Sequence, residues 1–169
     1  TMTDAISGTN DDGTNSGPYP SGETSDSLYG QDGAFGGFTD NGQAVFVFSN
    51  LEPGNAYSFT FYASRTSVSD NRETEYTLNG SSQSSVTLNA ANNTTSTAQI
   101  TDIQPNASGD ITLTINKGSN NTNGDGFYYI GALVIDSGDE SNAPVLYQPV
   151  RLGDDYIIDW TGTGELWIS

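Results

Sequence analysis

The chain has 169 residues, of which 33% are hydrophobic, and carries four Lys or Arg against 21 Asp or Glu, a net charge of −17. That length suits one domain with at most a fragment of a second. So few cations exclude a duplex nucleic-acid partner, because phosphate contacts need Lys and Arg in number.

In chain order, the first segment, 1–37, is rich in Gly, Ser, Thr, Asn and Asp, with Pro18-Tyr19-Pro20 inside it. It reads as an irregular strap wrapped on the domain, with a strand expected at Thr1–Ile6. Gln43–Asn50 is strand-like and ends at Leu51-Glu52-Pro53-Gly54-Asn55, whose Pro and Gly stand in turn order. Ala56–Ser64 alternates, so Tyr57, Phe59, Phe61 and Ala63 should face one way and Ser58, Thr60, Tyr62 and Ser64 the other. Glu73–Leu78 runs into Asn79-Gly80, a hairpin signal. Ser85–Leu88, Thr95–Ile100 and Asp110–Ile115 follow as short strands, and Phe127–Asp136, the most apolar stretch, belongs in the middle of a sheet. No window holds helical periodicity without a Gly or Pro break, so helix should be minor. Short strands at this spacing predict an all-β fold, an antiparallel two-sheet β-sandwich of jelly-roll type, over residues 1–136. Asp136–Pro144 reads as a linker (137–144), and 145–169 as the start of a following β module or a docked extension, with strands at Asp155–Trp160 and Glu165–Ile168.

The chain has no Cys and no His. That removes Ser-His-Asp and Cys-His nucleophiles and the preferred zinc ligands. Carboxylates, hydroxyls, Arg or Lys, or a hard cation such as calcium remain. The apolar run Phe127–Ile135 is too short to span a bilayer, so no membrane partner is expected. Thr1–Asn10 lacks a basic segment followed by an apolar one, so any secretion signal is expected to have been removed or left out.

Half of the positive charge, Arg65 and Arg72, brackets one loop between two strands. A guanidinium fork suits vicinal hydroxyls, a carboxylate or a sulfate. The competing reading pairs these arginines with Asp70, Glu73 or Glu75 to hold the loop. Aromatic faces are the second ingredient of sugar recognition, since they stack on the apolar C–H face of a pyranose. Tyr29, Tyr62, Tyr128, Tyr129, Trp160 and Trp167 are candidates, whereas Phe46, Phe48, Phe59, Phe61 and Phe127 should fill the core. The amide-rich loop Lys117–Gly126 offers Lys117 and Asn123 as further hydrogen-bonding groups, or is a plain hairpin loop. Asp11, Asp12, Asp26 and Asp125 are the candidate ligands of a structural calcium, although Asp/Asn/Gly runs equally make turns. No cofactor is required.

Ser25-Asp26-Ser27-Leu28-Tyr29-Gly30, Ala34-Phe35-Gly36-Gly37, the run Leu51–Arg65, Asp70-Asn71-Arg72-Glu73-Thr74 and Gly126–Leu133 together resemble the non-catalytic β-sandwich modules appended to secreted polysaccharide-degrading enzymes of marine bacteria. The resemblance covers about Ser25–Asp136. It implies a secreted, monomeric carbohydrate-binding module that holds a catalytic domain of the same parent chain on a polysaccharide, with calcium as a structural ion. The acidity favours a neutral or lightly sulfated galactan of agarose or porphyran type over a polyanion gripped by Arg65, Arg72 and Lys117. A small polysaccharide lyase or hydrolase, and a ligand-free structural or adhesion spacer, are the competing readings.

Overall fold

The computed structural model describes residues 6–36 and 42–137, together with the backbone of two short strands at 150–152 and 155–157. It is all-β and antiparallel. The first layer has the order β3-β8-β5-β6, built from Ala44–Phe48 (β3), Ile111–Lys117 (β8), Glu73–Asn79 (β5) and Gln83–Asn89 (β6). The second layer joins two three-stranded ladders. Gly8–Asn10 (β1), Ser27–Gly30 (β2) and Tyr128–Ile130 (β9) form one; Ala132–Asp136 (β10), Tyr57–Tyr62 (β4) and Ala98–Ile103 (β7) form the other. β9 and β10 are two halves of a single apolar run, broken only at Gly131, whose N–H still reaches the Tyr62 carbonyl at 2.8 Å. The run pairs with β2 along its first half (Leu28 opposite Ile130) and with β4 along its second (Leu133 opposite Phe61). It is thus central, as its apolarity predicts.

The break has a steric reason. A Cβ at Gly131 would lie 3.0 Å from the Asp26 carbonyl oxygen and 3.2 Å from that of Tyr62. Any side chain here would push the strap or β4 back by a few tenths of an ångström, so glycine suits this close approach.

Counting β9 and β10 as one strand, the layers read β2-β9/β10-β4-β7 against β3-β8-β5-β6, with β1 added beyond β2. From β2 onward every connection crosses between layers except the β5–β6 hairpin, which is the jelly-roll connectivity. Period-2 alternation supplies the core. Tyr57, Phe59 and Phe61 of β4 meet Tyr76 and Leu78 of β5 and Ile111, Leu113 and Ile115 of β8, all buried. Phe61 stacks on Tyr76 at a centroid distance of 4.3 Å, and Phe48 tilts against Phe59 at 5.5 Å. Phe46 and Phe48 are only partly buried but pack on this core.

The strap departs from the irregular reading. It contains β1, β2 and a one-turn helix, Ser21–Ser25 (α1). Strand β1 lies at Gly8–Asn10, beyond the strand expected at Thr1–Ile6, most of which falls outside the described residues. Strand β7 starts later than the predicted Thr95. Val150–Leu152 (β11) and Asp155–Ile157 (β12) pair as an antiparallel hairpin. The linker from 138 onward, the strand at Glu165–Ile168, Trp160 and Trp167 lie outside the described residues.

Candidate functional site

Four segments meet at one end of the sandwich: the strap near Asp12, the β4–β5 loop, the turn after β6, and the β8–β9 loop. Arg65 follows β4, and its N–H and carbonyl bond Ala90 and Asn92. Thr66 donates both its N–H and its hydroxyl to the Asp12 carbonyl at 2.8 Å. Asn71 and Thr122 exchange two hydrogen bonds at 2.9 Å, which ties the β4–β5 loop to the β8–β9 loop. The second loop is fixed from below by Glu73. Its buried carboxylate accepts from the Asn120 N–H at 2.9 Å and the Asn120 side-chain amide at 3.1 Å. The Asn121 amide adds bonds to the Glu73 and Phe127 carbonyls.

Arg72 is the centre of this end. Nε donates to Asp70 at 3.0 Å, Nη1 donates to the Tyr129 hydroxyl, and the guanidinium lies 5.5 Å from the Phe127 ring centre and 5.9 Å from that of Tyr129. Its side chain is 13% exposed. Asn123 donates to the other oxygen of Asp70, while its own amide oxygen accepts from the N–H groups of Asp125 and Phe127. Burial alone would raise the Asp70 carboxyl. The hydrogen bonds from Asn123 and Arg72 and the guanidinium charge outweigh it and hold the group below its ordinary range. Burial would likewise lower Arg72, yet Asp70 and Tyr129 hold it above its usual value.

Arg65 pairs with Asp12 at 3.0 Å and is 24% exposed. Its charge also reaches the Tyr129 phenol. Burial pushes that phenol up, and Arg72 and then Arg65 pull against it without reversing the direction. Tyr129 is therefore a neutral hydroxyl between two cations. Among the described residues, Nη2 of both arginines and Nε of Arg65 donate to no group. Tyr29 lies near-perpendicular to Phe127 at 5.5 Å, and Phe35, 46% exposed, lies near-perpendicular to the same ring at 4.9 Å.

Of the residues singled out from sequence, Arg65, Arg72, Tyr29 and Asn123 are thus gathered around Tyr129 and Phe127. Lys117 stands beside them, paired with Asp32. Gly126, at φ +63°, is wedged between these two side chains, where a Cβ would meet Asp32 at 2.9 Å and Lys117 at 3.1 Å. Two expectations are corrected. Tyr62 is fully buried, because the strap covers the outer face of β4. Tyr19 packs edge-on at 5.7 Å and the Tyr62 hydroxyl donates to the Asn93 carbonyl. Tyr128 is also buried, with its hydroxyl donating to the Gly42 carbonyl at 2.9 Å. Neither ring offers a face for stacking.

The metal expectation finds no cluster either. Asp12 serves Arg65, Asp26 accepts from Ser25, and the Asp125 carbonyl accepts from Asp32 and Gly33. Asp11 joins no group of acidic residues that could hold an ion among the described residues. Sequence reasoning placed Phe127 in the core and Asp70 only as an ion-pair partner; Phe35 had no signal beyond its Gly-rich surroundings. A shallow depression of about 440 Å³ lies apart from these residues, between Ser16, Gly17 and Pro18 of the strap and Thr94 and Thr95. In comparisons with known proteins, no family model, no curated protein and no solved structure matches the chain.

Proposed function

We propose that this chain is a non-catalytic carbohydrate-binding module, which binds a neutral or lightly sulfated galactan through its loop end and holds a secreted partner enzyme there. The observation that supports it most is the pair of arginines around Tyr129, with guanidinium donors left over and the exposed ring of Phe35 close by. Such donors suit vicinal hydroxyls, and an exposed aromatic ring suits a sugar's apolar face. The neutral ligand is favoured because Arg65, Arg72 and Lys117 each face an aspartate, which lowers their pull on a polyanion. Binding is favoured over lyase chemistry because Tyr129, held above its ordinary pKa, is a hydrogen-bonding group and no base at neutral pH.

Titration against a panel of galactans and charged glycans tests the reading. Wild-type protein should bind a neutral galactan with a Kd around micromolar or weaker, without releasing product. Arg65→Ala, which leaves the Arg72 network in place, should weaken binding roughly tenfold. Equal binding by wild type and variant would move the site elsewhere, and cleavage of any glycan in the panel would make the protein an enzyme.

A further inference from the structure

We infer that β6 is a homodimerisation edge, along which two copies of this chain pair antiparallel about Val86 and join their four-stranded sheets into one. Strand β6 pairs with β5 on one side, in unbroken register from Asn89 to Gln83. No backbone group of Gln83–Asn89 bonds anything on the other side among the described residues. Gln83, Ser84, Ser85, Thr87 and Asn89 are exposed. A regular edge of this length with no backbone partner, though β7 of the other layer runs beside it, is a template for another strand, and proteins ordinarily block one with a charge, a proline or a bulge. The neighbouring edge in the other layer is blocked. In β7 the register slips between Ile103 and Ile100, with Asp102 at φ +59° setting a carboxylate on the bulge. Strand β6 has none of these devices.

The charge distribution selects the occupant. From Tyr76 to Thr101 the sequence has no charged residue, in a chain whose net charge is −17. Two copies approaching by most surfaces would set carboxylates against carboxylates. Strand β6 itself carries none, its flanking carboxylates being Glu75 of β5, opposite Thr87, and Asp102 on the β7 bulge. The edge also complements itself. Antiparallel pairing centred on Val86 sets Ser85 opposite Thr87 and Gln83 opposite Asn89 on the exposed face, where hydroxyl meets hydroxyl and amide meets amide, and Ser84 opposite Leu88 on the inner face. It would also bring together the two partly buried Val86 side chains, which now pack against the rim of the core. The contact is a single strand pair, so it belongs with weak interfaces, with a Kd on the order of 100 µM. Like charge elsewhere opposes it, and salt at about 0.5 M, with a screening length of a few ångströms, should strengthen it.

Sedimentation equilibrium from about 10 µM to about 1 mM tests this, at low salt and at about 0.5 M salt. The mass should rise toward a dimer with concentration, and more steeply at the higher salt. The double variant Ser85→Glu/Thr87→Glu sets Glu against Glu across the two-fold. It should stay monomeric throughout, with unchanged circular dichroism and Tm. Because the chain has no cysteine, register can be read directly. Under oxidation a mixture of Ser85→Cys and Thr87→Cys proteins should form a mixed disulfide dimer, whereas either alone should not, since the same-residue diagonal is about 7–8 Å. Wild type that remains monomeric at every concentration and salt overturns the proposal. So does a dimer that persists in the double glutamate variant, or a Ser85→Cys protein that cross-links to itself when oxidised alone.

Discussion

The loop end and the β6 edge are both polar surfaces of one small acidic domain, yet they are built on opposite principles. At the loop end each of Arg65, Arg72 and Lys117 has an aspartate partner, and those pairs lock the strap and two loops around Tyr129. Along β6 order comes from backbone pairing with β5 alone, and the side chains are uncharged. Ion pairs thus fix loop-end segments that no strand ladder holds, whereas β6 is ordered without a charged residue of its own. Surface ion pairs contribute little in isolation, but Arg72 is largely shielded and combines the ion pair with a phenol and two ring faces.

The contrast can be broken most forcefully at Arg72. Arg72→Ala leaves Asp70 and the Tyr129 hydroxyl without their common donor, and should cost about 2 kcal/mol in chemical denaturation. Arg72→Lys should recover little, because a point charge cannot serve Asp70 and Tyr129 together. A loss below about 0.5 kcal/mol for the alanine variant would mean that the loop end is held by Asn120, Asn121 and Glu73 instead.

Acid titration is a gentler probe. The Asp70 carboxyl sits lower in the folded than in the unfolded chain, so its contribution is complete above the unfolded value of about 4 and is lost as pH falls through the folded one. Asp70→Asn should flatten the acid limb of a stability–pH curve and leave its neutral-to-alkaline part parallel to wild type. An acid limb of unchanged slope would assign the loss to other carboxylates. The smallest effect should come from the opposite region. Ser85→Glu alone, on the exposed face of β6, should change stability by less than about 0.5 kcal/mol, measured below the concentration at which copies could pair.

Much of the framework was legible in the sequence because strands announce themselves locally. The alternation in Tyr57–Tyr62 correctly assigned Tyr57, Phe59 and Phe61 to the core. It also placed Tyr62 and Ser64 on the other face, which was right as geometry and wrong as exposure. Alternation tells which face a residue occupies but not what covers that face. Here the strap does, with the Thr14 N–H donating to Ser64 and Tyr19 lying against Tyr62. The site divides the same way. Arg65 and Arg72 stood out by scarcity, whereas the union of Arg72 with Tyr129 spans 57 residues of chain and leaves no local trace. Tyr128 and Tyr129, adjacent in an apolar run, could not be told apart without knowing which side of the layer receives the guanidinium.

The pairing of β2 with β9 has a consequence for how the molecule comes into being. Leu28 has Thr9 on one side, but its inner partner is Ile130, near the far end of the described domain. A ribosome releases Leu28 long before it has made Ile130. Strand β2 must therefore wait for that partner until the last central strand emerges, and completion should be slow because so distant a closure has to form before it is rewarded.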